Sequence, residues 1–202
     1  MIRKLKILTA ALVAVLALGV AVGAASAAQF HSEKQLTTIK GVSSSTHEFT
    51  TPAAKVTCQG ASFLGIMPFA TQVSLTLLPS FSNCDLKVTG GSTIAGAAVK
   101  LNECDFEISA NGRHEVKCPA GSSGIEFSVA GCVLTIRPQI DESAISYANS
   151  GSHVQATFEG TEVFYKTSGL LCGATEGSKG SYTGAATLSG EQGGMPVKIR
   201  WE

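Results

Sequence analysis

The chain has 202 residues with 15 Lys+Arg against 15 Asp+Glu, 44% hydrophobic residues and six cysteines. So even a charge balance supplies no basic field for nucleic acid or anionic lipid. The length suffices for one domain with a real core, and no Pro-rich or charged linker divides it.

The chain opens "MIRKLKILTAALVAVLALGVAVGAASA". Arg3, Lys4 and Lys6 form a basic region, an apolar run follows from Ile7 to Val22, and Ala25-Ser26-Ala27 is an A-x-A cleavage signal. This pattern is that of a secretory signal peptide over residues 1–27, with the mature chain beginning at Ala28. The apolar run falls short of the ~20 residues a bilayer span needs, and small residues follow it. The first cysteine, Cys58, is too distant for lipid attachment, and the closing "PVKIRWE" has no apolar tail. The expectation is therefore a single secreted β domain over residues 28–202, extracellular, with no membrane insertion of the mature chain. Cleavage removes three basic residues and no acid, which leaves 12 Lys+Arg against 15 Asp+Glu and a net charge of −3.

Short alternating runs then follow one another, separated by Gly, Asn and Ser: "HEFT" at 47–50, "KVTCQGASF" at 55–63, "QVSLTLL" at 72–78 and "DLKV" at 85–88. "TIAGAAVKL" at 93–101 has the alanines of a helix, but its length and Gly96 favour a strand. "DFEIS", "HEVKC", "IEFSV", "VLTIR", "AISYA", "HVQATF", "EVFYK", "SYTGAATLS" and "VKIRW" complete the series. Many short strands with frequent turn signals predict an all-β fold: a single antiparallel β-sandwich or barrel-like domain.

Three of the cysteines open an alternating apolar phrase: Cys84-x-Leu86-x-Val88, Cys104-x-Phe106-x-Ile108 and Cys132-x-Leu134-x-Ile136. Residues two apart share a face of a strand, so these cysteines point with the apolar residues into the core. "CDFEISANGRHEVKC" allows a firmer deduction. A three-residue hairpin loop at Ala110-Asn111-Gly112, with Gly112 left-handed, places Ile108 opposite His114, Phe106 opposite Val116 and Cys104 opposite Cys118. The last is a non-hydrogen-bonded pair, whose ~4.5 Å Cα separation suits a disulfide. Asp105 then faces Lys117 favourably, and Glu107 faces Glu115 at a small cost. Six cysteines allow 15 pairings in principle. With Cys104–Cys118 set, local strand order suggests Cys58–Cys84 and Cys132–Cys172. There is no C-x-x-C pair, and exported chains oxidise their thiols, so disulfides rank above metal.

Two further hairpins are predicted. One turns at Ala130-Gly131, pairing Val129 with Cys132, Phe127 with Leu134 and Ile125 with Ile136. The other turns at Glu159-Gly160, pairing Ala156 with Val163 and Val154 with Tyr165.

No local catalytic pattern is present. The mature chain has no H-E-x-x-H, G-x-S-x-G or S-x-x-K. Of the four histidines, His31 and His47 are expected to be exposed, His114 flanks the hairpin loop, and His153 opens a strand. Glu103, Asp105 and Glu107 line one outer face and Asp141-Glu142 sits in a loop. Either group could hold calcium, but no D-x-D-x-D-G loop supports that. Tyr147, Tyr165 and Trp201 share faces with Ile145, Val163 and Ile199, which assigns them to core packing rather than to sugar stacking. No catalytic residue, metal ligand or cofactor is assigned.

The phrases "KVTCQGASF", "GIEFSVAGCVLTIRPQ" and "YTGAATLSGE", with the signal peptide, resemble a group of uncharacterised secreted six-cysteine, β-rich proteins of high-GC Gram-positive bacteria. The resemblance implies export and one β domain, and carries no activity or site. The leading expectation is a non-enzymatic secreted or envelope-associated domain with a binding or structural role, with an envelope component or glycan as a possible ligand. An extracellular hydrolase acting on polysaccharide or cell-wall material and a calcium-stabilised adhesion module are the alternatives.

Overall fold

The computed structural model describes residues 27–202, so the expected signal peptide lies, but for Ala27, outside the described residues. Eighteen strands and no helix are found there. In chain order they are β1 (Phe30–Ser32), β2 (Thr37–Ser43), β3 (His47–Thr50), β4 (Ala54–Met67), β5 (Thr71–Gln72), β6 (Ser74–Val88), β7 (Thr93–Ile94), β8 (Ala98–Lys100) and β9 (Asp105–Ser109). They continue as β10 (His114–Lys117), β11 (Ile125–Val129), β12 (Cys132–Ile136), β13 (Gln139–Asp141), β14 (Ile145–Ser150), β15 (His153–Ser168), β16 (Thr175–Gln192), β17 (Met195–Val197) and β18 (Ile199–Trp201). "TIAGAAVKL" thus forms two short strands, separated by a turn in which Gly96 takes a φ of 74°.

All pairings are antiparallel. The main sheet runs β13-β10-β9-β6-β4-β2-β16-β15-β12-β11-β8, with β3 wedged between β16 and β4, and β14, β17 and β7 attached to β15, β16 and β6. Four long strands, β4, β6, β15 and β16, serve both halves of the molecule. The early part of β4 pairs with β3 and its later part with β2. A separate sheet, β18-β1-β5, joins the two ends of the described chain, with Phe30 opposite Trp201. The result is an all-β, barrel-like sandwich around one aromatic and aliphatic core that includes Phe49, Phe63, Phe106, Phe127, Phe158 and Tyr182.

Two expectations are corrected by the length of these strands. There is no turn at Glu159-Gly160: β15 runs straight through, with Glu159 opposite Thr183 and Gly160 opposite Tyr182 of β16. The inward phase nevertheless slips, from Val154, Ala156, Phe158 and Gly160 to Val163, Tyr165 and Thr167. The slip is made by Glu162 in the left-handed region, φ 57°, beside register shifts in the pairing with β16. A bulge inserts a residue without reversing the chain. Likewise "QVSLTLL" and "DLKV" belong to one strand, β6, whose inward phase slips at Ser82-Asn83, with Asn83 at φ 51°. Pro79 is accommodated within β6 because the pairing with β9 covers only Ser74–Leu77, so the missing N–H costs no ladder bond on that side.

The hairpin deduced from "CDFEISANGRHEVKC" forms in the expected register, Ile108 with His114, Phe106 with Val116 and Asp105 with Lys117. Gly112 takes a φ of 93°, and Ser109 N–H donates to Arg113 O at 2.9 Å. The opposition of Glu107 and Glu115 is offset by Arg113, whose guanidinium lies against both carboxylates. The Ala130-Gly131 hairpin also has its expected pairs. Three disulfides staple the fold. Cys58–Cys84 joins β4 to β6 with Cα atoms 3.9 Å apart, and Cys104–Cys118 closes the β9–β10 hairpin at 4.1 Å. Cys132–Cys172 ties the start of β12 to the loop between β15 and β16.

Candidate functional site

The histidines separate into a buried pair, His47 and His114, and two that reach the surface, His31 half-buried and His153 exposed. His47, expected to be exposed, is completely buried. It is the first residue of β3 and alternates inward with Phe49. Both ring nitrogens have partners that make burial tolerable: Nδ1 lies 2.7 Å from Tyr182 Oη and Nε2 3.2 Å from Ala185 O. Burial lowers its pKa, and the Ala185 carbonyl opposes the shift. Burial also raises the pKa of Tyr182, so both groups are neutral at ordinary pH.

His114 also lies beside Tyr182, with ring centroids 5.9 Å apart, and meets Phe106 edge-on at 4.5 Å. Its Nε2 makes no hydrogen bond to the described residues. Desolvation lowers its pKa to about 4 against a smaller opposing pull from Asp141. The space beside it, bounded by Gln139, Asp141 and Tyr182 among others, amounts to about 10 Å3, room for no more than a water molecule. A substrate cannot reach either imidazole, so this cluster is part of the core.

Of the carboxylates singled out in the sequence, Glu107 is held by Arg113 and Lys117. Asp141 accepts the N–H groups of Thr161 at 2.9 Å and Ser143 at 3.2 Å. Glu103 precedes β9 in a left-handed conformation and does not share the outer row of Asp105 and Glu107. Among the described residues no three His, Cys, Asp or Glu side chains gather as a metal site. Tyr147 donates to Ser109 O at 3.0 Å and Trp201 Nε1 to Ala110 O at 2.8 Å. Both rings pack against the core, as expected.

Of the other two, His153 has its Nε2 3.3 Å from the hydroxyl of Ser152. His31 is in richer surroundings, a cleft of about 200 Å3 along the β18-β1-β5 sheet, lined also by Thr71, Lys198 and Arg200. Its Nδ1 lies 3.3 Å from Thr71 Oγ1 and its Nε2 3.6 Å from Glu202, which Arg200 also holds at 2.8 Å. A hydroxyl, an imidazole and a carboxylate are thus in line. The order of these groups is that of an activated nucleophile, but the site is shallow and open, and the carboxylate is shared with an arginine. Sequence reading could not find this constellation, because Thr71 and Glu202 meet His31 only through the pairing of β1 with both β5 and β18.

A second surface feature stands out on the outward side of β2, β4 and β6. Leu64 is directly opposite Leu78 of β6 and Lys40 of β2. Ile66 and Val42 share this side, and these four apolar residues are 49–63% exposed. Leu36, Phe69 and Val73, also exposed, sit where the chain enters β2, leaves β4 and enters β6, at one shared end of the three strands. Isolated exposed leucines are ordinary on a protein surface; here Leu64 and Leu78 lie side by side, with Lys40 on the other side of Leu64.

No known protein family, curated protein or solved structure matches the chain. No helix among the described residues is long and apolar enough to cross a membrane.

Proposed function

We propose that the chain is exported and acts by association rather than by turnover, as a disulfide-stapled β domain with a binding or structural role outside the cell. The observation that carries this reading is the apolar outer face of Val42, Leu64, Ile66 and Leu78, which the fold leaves open while it seals His47 and His114 inside. The A-x-A signal after an apolar run, the three disulfides and the resemblance to exported six-cysteine proteins of high-GC Gram-positive bacteria support export and an envelope setting.

Native mass spectrometry of the protein recovered from its host's medium and envelope tests this reading. The expected species begins at Ala28, lacks six hydrogens and carries a specific associated mass. Incubation with ester, glycan and cell-wall substrates should release no product.

One observation favours a second reading, that of an extracellular hydrolase. The line Thr71–His31–Glu202 would supply a nucleophile, a base and an orienting carboxylate, with Lys198 and Arg200 at hand for an anionic substrate. Product release that disappears in both Thr71→Ala and His31→Ala would establish this alternative and overturn the first.

A further inference from the structure

We infer that β13 is an acid-released lid: when the imidazole of His114 takes up a proton at Nε2, Gln139–Asp141 lifts away from β15 and admits water to the interior, while the rest of the sheet stays paired. This goes beyond the association reading and does not depend on it.

β13 is held lightly. It has three residues, and its backbone ladder runs to β10 alone, with Asp141 opposite His114 and Gln139 opposite Val116. Toward β15 the rungs are made by side chains instead. Gln139 Oε1 accepts the N–H of Phe164 at 2.7 Å, and Asp141 Oδ2 accepts that of Thr161 at 2.9 Å. These two N–H groups flank the bulge at Glu162. The segment is anchored at both ends: Arg137 N–H donates to Phe164 O at 3.0 Å, and Ile145 N–H to Gly112 O at 2.9 Å. Between the anchors Pro138, Ile140, Glu142 and Ser143 are exposed. Local opening is favoured where few apolar contacts and solvent-facing hydrogen bonds hold a short segment.

Beneath the lid lies His114, 6% exposed, its Nε2 without a hydrogen-bond partner beside the small space that Gln139 and Asp141 help to enclose. A neutral imidazole can rest there. An imidazolium carries a second N–H donor and a charge, and needs water or an anion. The groups facing it supply neither freely. Asp141 of β13 has both carboxylate oxygens engaged, by Thr161 N–H and Ser143 N–H. Tyr182 of β16 is neutral, with its Oη 2.7 Å from His47, which lies beyond it. The strands β3, β9, β12 and β15 turn only apolar residues or glycine to the ring. On β10 itself Arg113 and Glu115 alternate to the outer face, where they pair with each other. The added charge is therefore met in one of two ways: Asp141 leaves Thr161 to pair with it, or water enters past β13. Both unstitch the same edge.

The experiment is amide hydrogen exchange of the mature, fully oxidised chain, followed by NMR at pH 7 and pH 5, with and without urea below the unfolding transition. The ring titrates at about 4 under the closed lid and at its ordinary 6.5 in water, so the open fraction should grow about 20-fold between those two conditions. Protection of the Thr161 and Phe164 amides, corrected for intrinsic exchange, should fall by that factor without responding to urea, while the β2–β4 ladder stays more strongly protected. In His114→Leu the fall should vanish. Gln139→Ala removes the rung to Phe164. It should expose that amide at both pH values and move the ring titration, read from imidazole NMR shifts, from about 4 toward 6.5. Protection that ignores pH, or that is lost only by urea-sensitive unfolding together with the β2–β4 ladder, overturns the inference. So does a Gln139→Ala chain whose ring still titrates near 4. The wild-type measurement decides the matter even where His114→Leu does not fold.

Discussion

The imidazole of His47 occupies the space into which a side chain at position 184 would project: a Cβ added to Gly184 would overlap its Nδ1, Cε1 and Cγ atoms. The glycine is there because β3 and β16 are neighbours and the ring must pass over the backbone of β16 to reach Tyr182 Oη. Gly184→Ala would drive the ring off its hydrogen bonds to Tyr182 and Ala185. The expected cost is about 2 kcal/mol, in the range for overpacking a tight core, read from urea denaturation. Unchanged stability would show that His47 can be displaced without loss.

Acid should weaken the protein through its two buried histidines. Burial depresses the pKa of His114 to about 4 and also lowers that of His47. In the unfolded chain both return to ~6.5, so the unfolded state takes up protons first as the pH falls. Stability is fully present above pH ~6.5 and drains away as the pH falls towards about 4. For His114 the loss over that window is of order 3 kcal/mol. Denaturation curves of wild type and His114→Leu between pH 7 and pH 4.5 should diverge, with the variant less sensitive to acid. Parallel curves would mean that His114 titrates normally.

The Cys104–Cys118 bridge closes a loop with a sequence separation of 14. Replacing both cysteines by alanine should cost about 3 kcal/mol, on the view that the bridge acts by restricting the unfolded chain. The hairpin itself should persist, because its turn, its register and the Arg113 ion pairs do not depend on sulfur. The measurement is the shift in denaturation midpoint against the wild-type chain, with the other two bridges verified by mass.

The single tryptophan reports on the pairing of the chain's two ends. Asn149 grips the backbone of Trp201 twice, accepting its N–H at 2.8 Å and donating to its carbonyl at 2.7 Å. Asn149→Ala removes both bonds and should loosen β18 at a cost of about 1–2 kcal/mol. Trp201 emission should then shift to the red and become more accessible to acrylamide. An unaltered spectrum would mean that the indole bond to Ala110 O holds the strand unaided.

The parts of the fold that could be read from sequence are those decided by near neighbours. In "CDFEISANGRHEVKC" a single phase of alternation, one turn glycine and two cysteines placed symmetrically about Asn111 admit one register, and that register forms. Reading failed where the phase of alternation changes inside a strand. A turn and a bulge both convert inward-even into inward-odd, so Gly160 looked like a corner when the extra residue is Glu162. His47 reads as exposed because its partners, Tyr182 and Ala185, are remote in sequence. The outer apolar face is hidden in the sequence for a related reason. In "SFLGIM" both phases are apolar, so Phe63 and Met67 inside cannot be told from Leu64 and Ile66 outside without the neighbouring strands.

The pairing of β1 with β18 and of β2 with β16 sets the order in which the molecule can be completed. The first strands meet one partner early, β1 in β5 and β2 in β4, but the other edge of each is covered only by β18 and β16, and the Phe30–Trp201 seam waits for both of its strands. Contacts so distant along the chain are slow to form. In a chain threaded through a narrow pore from its beginning, β1 and β2 would each keep one edge uncovered on the far side until β18 and β16 had followed. The circuit from first strand to last thus postpones the final closure of the sheet until both of its ends are together.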